Sequence, residues 1–167
     1  MAFETGTATS IGNLMYKLFI FAQANGYTLD QPIVGTNPAP PFECALSKGS
    51  IFVGFKALGN GYTLYMYPAR GFTPGQTVGN HPETGTLITT SSLGGAISSY
   101  HFFEGDDYLH VVLRMSDGRH RHFGWGSMTK FGDWAGGEYF YGHVHRENQT
   151  SLPAQSSNTR LPFQTRN

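Results

Sequence analysis

The stretch YLHVVLRMSDGRHRHFGW, residues 108–125, contains two runs typical of β-strands on either side of the turn sequence SDG. The turn allows two hairpin registers. A two-residue Asp-Gly turn places Arg114 opposite Arg121, which is a pair of like charges. A three-residue loop with Gly118 in the left-handed conformation instead opposes apolar residues, Val111 with Phe123 and Leu109 with Trp125. Because this second register gives one continuous apolar face, the sequence predicts it.

The predicted hairpin gathers histidines on the face opposite the apolar one. His110, His120 and His122 share this face, and His143 and His145 occupy a further strand that could adjoin it. Imidazoles two residues apart on a strand can chelate zinc, nickel or iron. No cysteine lies nearby, and no acidic residue has a fixed relation to these histidines. We therefore predict no metal site and no cofactor, and expect these histidines to be hydrogen-bonded to neighbours or to line a subunit contact. The alternative is a metal site, for which His110, His120 and His122 are the candidate ligands.

The rest of the chain predicts mainly antiparallel β-structure with one helix. Apolar residues at helical spacing predict an amphipathic helix over residues 11–24, capped by Ser10 or Thr9 and ended by Asn25 and Gly26. Strand patterns follow at residues 27–34, broken by Pro32, at 50–68 around a hairpin turn, and at about 138–145. Together they predict a mainly β (α+β) fold. Its form is an antiparallel β-sandwich or barrel-like domain with one N-terminal helix and extended terminal arms.

The domain organisation follows from composition along the chain. Residues 1–9 are polar and contain glycine, and they predict an N-terminal arm outside the core. Residues 10–145 predict a single β-rich domain. Residues 146–167 show almost no apolar periodicity and predict an extended C-terminal arm that needs a neighbour to be ordered. Residues 69–98 predict a long loop, which in compact domains is usually functional or ordered by a partner.

Composition narrows the range of partners. The chain has 167 residues, a formal net charge of zero and 13% charged residues, whereas phosphate binding needs a local excess of Lys and Arg. No stretch approaches the ~20 apolar residues of a membrane helix, and the N-terminus lacks the pattern of a signal peptide. The sequence therefore predicts a protein that is made in the cytoplasm and binds neither nucleic acid nor membrane. The aromatic-rich stretches at residues 59–68 and 123–142 could stack on sugars or bases or form a protein interface, and with so little charge we favour a protein partner.

Catalytic residues are not predicted. Cys44 can be combined with a histidine, and Asp106 and Asp107 with His110, but neither set comes with a recognisable nucleophile turn. The two adjacent carboxylates are ordinary turn residues. We therefore expect a protein that is not an enzyme.

Motifs near both ends of the domain occur in a recognisable combination. The segment ETGTA leads into the helix and then NGYTL, and three later motifs follow at Tyr108–Val112, Arg121–Gly124 and Trp134–Tyr139. Together they resemble a group of virion structural proteins of tailed bacteriophages. The resemblance covers approximately residues 1–30 and 100–145. It implies a structural component of the tail, baseplate or head–tail region, present in several symmetric copies, and it implies no catalytic residues.

The expected function is that of a non-enzymatic assembly protein located in the virion, with other virion structural proteins and copies of itself as partners. The residues expected at its contacts lie on the strands and arms: Phe3, Thr5, Trp125, Trp134, Tyr139, Tyr141, Leu161 and Phe163. The alternative is a glycan-binding module for host attachment. In that case the aromatic residues stack on sugars of the host surface: Trp125, Trp134, Tyr139 and Tyr141.

Overall fold

The computed structural model describes residues 1–59, 63–85, 87–89, 93, 96–128 and 137–146, with the backbone alone for residues 89 and 143–146. Within these residues the chain forms one α-helix, α1 (Ile11–Ala24), and a short 3₁₀ turn at Val78–Asn80. The strands are β1 (Ala2–Ala8), β2 (Thr28–Gln31), β3 (Phe42–Lys48), β4 (Ile51–Ala57), β5 (Leu64–Ala69), β6 (Ile88–Thr89), β7 (Ile97–Gly105), β8 (Tyr108–Met115), β9 (Arg119–Met128) and β10 (Gly137–Arg146).

The strands form two antiparallel sheets. The first sheet has the order β1-β7-β8-β9-β10, and the second has the order β2-β3-β4-β5-β6. The chain leaves the first sheet after β1, passes through α1, builds the second sheet and returns to the first at β7. This arrangement confirms the predicted mainly β fold with two layers and an N-terminal helix.

One hydrophobic core lies between the two sheets and α1. The ring of Phe55 in β4 contacts Phe19 of α1 and both Phe123 and Trp125 of β9, at centroid distances of 6.2, 6.3 and 5.4 Å. All four side chains are at most 1% exposed. Full burial of a Phe side chain contributes about 1.5–3 kcal/mol, and an aromatic contact adds about 0.5–1.5 kcal/mol. This cluster therefore joins the helix and both sheets.

The β8–β9 hairpin has the predicted register. Its ladder pairs Leu109 with Trp125, Val111 with Phe123 and Leu113 with Arg121. Gly118 has a φ of 76°, and its N–H donates to the carbonyl of Met115 at 3.1 Å. A three-residue loop needs this left-handed residue. The loop therefore determines which residues of the two strands enter the core.

The helix begins and ends where the sequence predicts. The hydroxyl of Ser10 accepts a hydrogen bond from the N–H of Asn13 at 3.0 Å, which caps the N-terminus. Gly26 follows the C-terminus with a φ of 87°. The buried side of the helix packs into the core through Leu14, Met15, Leu18, Phe19 and Ala22. In the described part of the chain, no helix is long and apolar enough to cross a membrane.

The N-terminal residues correct the expectation of an arm, because Ala2–Ala8 form strand β1 at the edge of the first sheet, paired antiparallel with β7. Phe3 is 57% exposed on one side of this strand. On the other side, Glu4 accepts a hydrogen bond from the hydroxyl of Tyr100 at 2.8 Å. An antiparallel edge strand with one face away from the core can be largely polar. The polarity of a segment alone therefore does not distinguish an edge strand such as β1 from an extended arm.

Other predicted boundaries are met in part. Strand β2 ends at Gln31, directly before Pro32, as the proline predicts. The predicted loop over residues 69–98 also contains strand β6 and the 3₁₀ turn. Strand β10 extends to Arg146, and the rest of the predicted C-terminal arm, residues 147–167, lies outside the described residues.

We predict that Gly118→Ala lowers the free energy of unfolding by about 1 kcal/mol, because a Cβ is unfavourable at a positive φ. The measurement is urea denaturation at equilibrium. Gly59→Ala is the matched control. The nearest atom to a Cβ at Gly59 is 3.9 Å away and its φ is not in the left-handed range. An equal loss in both variants would contradict the role of the loop.

Candidate functional site

The side of the first sheet that faces away from the core is here called the outer face. Strand pleating divides each strand between the two sides. In β8 the core side holds Leu109, Val111 and Leu113, each at most 1% exposed, and the residues between them are half-buried or exposed. The register of the ladder then assigns the described outer-face side chains: Phe3, Thr5, His101, Phe103, Tyr108, His110, Val112, Arg114, His120, His122, Tyr139 and Tyr141.

A row of aromatic and imidazole rings crosses the outer face from β1 to β10. The centroid of Phe3 lies 5.0 Å from that of Phe103, and the centroid of Phe103 lies 6.1 Å from that of His110. His110 in turn lies 5.5 Å from Tyr141, which stacks on Tyr139 at 6.2 Å. The rings therefore form a nearly continuous surface over five strands.

Two glycines of β9 make room for the tyrosines of β10. A Cβ at Gly124 would lie 2.8 Å from the hydroxyl oxygen of Tyr141, and a Cβ at Gly126 would lie 2.9 Å from the ring of Tyr139. Real Cβ atoms do not approach other atoms so closely. The glycines of the sequence HFGWG therefore allow the rings of one strand to lie across the backbone of the next.

Charge is sparse on the outer face. Arg114 is the one Lys, Arg, Asp or Glu among its described side chains, and it is exposed opposite His120. His110 accepts or donates a hydrogen bond at Nδ1 with the hydroxyl of Tyr141. Burial lowers the pKa of His110 below its ordinary value, so that the ring is neutral at pH 7. The described outer face is therefore aromatic and carries little formal charge.

The structure brings four of the predicted contact residues to this surface, Phe3, Thr5, Tyr139 and Tyr141. The prediction that Trp125 is a contact residue is wrong. Trp125 alternates with Gly124 and Gly126 to the core side of β9 and is 0% exposed, so it meets neither a partner nor a sugar. Three other predicted contact residues, Trp134, Leu161 and Phe163, lie outside the described residues.

Sequence reasoning missed three outer-face residues, His101, Phe103 and Tyr108. The signal that could have found them is the turn at Asp106 and Asp107, which pairs Gly105 with Tyr108. A two-residue turn fixes the register of β7 against β8. Alternation along β7 then places His101 and Phe103 on the side of His110.

The residues considered for catalysis belong to different elements of the fold. Cys44 is fully buried in β3 of the second sheet, and burial raises the pKa of its thiol, which keeps it protonated. Asp106 and Asp107 are exposed in the turn between β7 and β8. His110 belongs to the outer face and is hydrogen-bonded to Tyr141.

The candidate metal ligands are close but incomplete among the described side chains. The rings of His110 and His122 lie 5.8 Å apart. His120 lies two residues before His122 in β9. No three His, Cys, Asp or Glu side chains within the described part of the chain are arranged to hold a metal ion.

A separate cleft of about 510 Å³ lies beside the second sheet. Residues of β2, β3 and the predicted long loop line it, including Asp30, Gln31, Glu43 and Phe72. Glu43 is already engaged, because it forms an ion pair with Lys56 at 2.8 Å and accepts the N–H of Val78 at 3.0 Å. Two buried polar atoms of the lining, Oδ2 of Asp30 and Oε1 of Gln31, have no hydrogen-bond partner among the described residues.

Comparison of the chain with protein-family models and with curated proteins finds no match. The outer face must therefore be interpreted from its own chemistry.

We predict that the protein loses stability as the pH falls below about 6.5, the ordinary pKa of histidine. Burial lowers the pKa of both His110 and His81 in the folded chain, so that the unfolded chain binds protons more readily. Above this pH both rings are neutral in the folded and the unfolded chain, and they do not lower the free energy of unfolding. As the pH drops toward the pKa values of the two rings in the folded chain, protonation favours the unfolded chain and the free energy of unfolding falls. Urea midpoints at about pH 7.5 and 5.5 measure the loss.

The variant His110→Leu should show a smaller loss between these two pH values than the wild type. Phe103→Leu is the control, since it removes a ring that contacts His110 but no titrating group. An unchanged pH dependence in His110→Leu would exclude His110 as a source of the effect.

Proposed function

We propose that this protein is a non-enzymatic assembly protein of a tailed-phage virion, present in several copies, and that its outer face contacts a neighbouring subunit. The observation that carries the proposal is the row of rings across the outer face, with Arg114 as the one formal charge among its described side chains. The cores of protein interfaces are enriched in aromatic residues and depleted of charge. The neighbour is a copy of this chain or another virion structural protein.

The edge of the first sheet supports a contact with protein. Strand β1 pairs with β7 on one side, and within the described residues no strand pairs with its other side. An open strand edge presents N–H and C=O groups that can accept a strand from another chain. Phe3, which is 57% exposed, lies on this strand at the end of the row of rings.

The charge distribution favours protein over nucleic acid as the partner. The chain carries eleven basic and eleven acidic residues. The basic residues Lys48, Lys56, Arg70 and Arg119 each pair with a carboxylate. Phosphate backbones are bound by clusters of unpaired Lys and Arg, which this distribution does not favour.

We predict that Phe3→Asp lowers incorporation of the chain into particles by about tenfold or more, because burying an unpaired carboxylate costs well over ~1.4 kcal/mol. Val34→Asp is the matched control. It places the same charge at a site that is 87% exposed between β2 and β3. Quantitative mass spectrometry of purified particles measures the amount of each variant, and circular dichroism confirms that both fold. Equal incorporation of the two variants would contradict the proposal.

A second candidate function is that of a glycan-binding module for host attachment. Its specific support is the pair Tyr139 and Tyr141, whose rings lie nearly parallel at 21° on the outer face. Aromatic rings are frequent in the sites that bind small molecules.

A glycan array separates the two functions. If the protein acts only in assembly, we expect the purified chain to bind no glycan. Binding that is lost in Tyr139→Ala and kept in Phe3→Asp would support the glycan-binding module instead.

A further inference from the structure

The cleft beside the second sheet is bordered by acceptor atoms that no described donor satisfies. Asp30 and Gln31 at the end of β2 line the cleft and are half-buried. The buried atoms Oδ2 of Asp30 and Oε1 of Gln31 have no hydrogen-bond partner among the described residues. Nε2 of Gln31 donates to the backbone carbonyl of Glu43 at 3.4 Å, which leaves Oε1 as the unpaired atom of this amide. Because a buried acceptor without a donor is unfavourable, the two atoms favour a ligand that brings N–H or O–H groups.

The negative charge of the cleft is only partly compensated. Glu43 is paired with Lys56 at 2.8 Å and also accepts the N–H of Val78 at 3.0 Å. Asp30, in contrast, forms no ion pair within the described part of the chain. The ring of His81 supplies no positive charge at pH 7, because burial lowers its pKa. A partly buried carboxylate without a counter-charge favours a cationic ligand.

An organic cation suits the cleft better than a metal ion. No three His, Cys, Asp or Glu side chains among the described residues are arranged to hold a metal ion. The volume of about 510 Å³ is within the range of small-molecule sites. The ring of Phe72 lines the cleft together with Pro32 and Pro74, and it packs on His81 at a centroid distance of 4.7 Å. The cleft therefore combines unpaired acceptors with an apolar wall that includes an aromatic ring.

We propose that this cleft binds a guanidinium group, which donates hydrogen bonds to Asp30 and Gln31 and stacks on Phe72. A guanidinium is planar, permanently positive and weakly hydrated, and it presents several N–H donors in one fork. It also stacks on aromatic rings, whereas an ammonium ion is compact, strongly hydrated and without a flat face. The group belongs to a free small molecule or to an arginine side chain of another protein. The site lies on the second sheet and does not depend on the assembly contact of the outer face.

The test is an NMR titration of the isotope-labelled full-length chain, in which the amide signals of Gln31, Gly75 and Gln76 report on the cleft. The probes are butylguanidinium and butylurea, which has nearly the same shape but no charge. We expect butylguanidinium to shift these signals saturably with a Kd of about 1 mM or below, an affinity within reach of a small ligand. Butylurea should bind at least about tenfold more weakly, because charge-assisted hydrogen bonds are roughly twice as strong as neutral ones.

A further probe distinguishes the two sources of the group. It is a capped tripeptide with a central arginine, titrated under the same conditions. Affinity about tenfold or more above that of butylguanidinium would assign the cleft to an arginine side chain of another protein, since it requires contacts beyond the guanidinium. Equal affinity of the two probes would assign the cleft to a free guanidinium compound.

Substitutions locate the site. Asp30→Asn removes the charge and keeps the shape of the side chain, and it should weaken butylguanidinium binding by about tenfold or more. Asp106→Asn is the matched control, because Asp106 is exposed in the turn between β7 and β8 of the first sheet. It should bind the probe like the wild type. Phe72→Leu removes the ring without a change of charge and should also weaken binding, since a cation is attracted to an aromatic face.

Three results would overturn the proposal. The first is the absence of saturable shifts with butylguanidinium. The second is equal affinity for butylurea, which would assign the cleft to an uncharged ligand such as a sugar. The third is equal affinity of Asp30→Asn and Asp106→Asn for butylguanidinium. If circular dichroism shows that Asp30→Asn does not fold, Phe72→Leu replaces it, and an unchanged affinity in that variant overturns the site.

Discussion

The packing of Phe123 and Trp125 against Phe55 depends on a loop of three residues in which Gly118 adopts a φ of 76°. A shorter turn would shift the register of β8 against β9 and exchange the two faces of β9, because side chains alternate with a period of two residues. Histidines would then enter the core and the aromatic rings would leave it. The contact between the two sheets and the composition of the outer face are thus consequences of one turn.

A second link between the sheets is electrostatic. Lys48 of β3 forms an ion pair with Glu104 of β7, whose side chain is 8% exposed. The ammonium group of Lys48 also lies 5.1 Å from the centre of the Tyr27 ring. A carboxylate this deeply buried needs a partner, because an unpaired buried charge is strongly unfavourable. The pair therefore fixes the second sheet against the first at a position that hydrophobic contact alone leaves less defined.

The outer face owes its character to the same alternation that builds the core. The positions of β8 and β9 that face away from the core hold mainly histidine, glycine and tyrosine, together with Val112 and Arg114. Glycines 124 and 126 let Tyr141 and Tyr139 lie flat across β9. The result is a broad surface with little charge, which suits contact with another protein.

The sequence by itself determined the elements whose signals are local. The helix of residues 11–24 follows from apolar spacing and its caps, and the β8–β9 register follows from the turn and the pattern around it. The sequence also indicated a mainly β fold. It misplaced Trp125 as a contact residue, although its own register put that side chain among the packed residues. The helix and the β8–β9 register each depend on residues within one helix or one hairpin, where periodicity is informative.

Only the tertiary structure decided which strands become neighbours. Residues 2–8 become an edge strand because they pair with β7, about a hundred residues later in the chain, and nothing in their own composition encodes that partner. The division into two sheets and the pairing of His143 with His122 are decided in the same way. Strand pairing between distant segments depends on the shape and burial of the whole core, and a local pattern of residues does not contain that information.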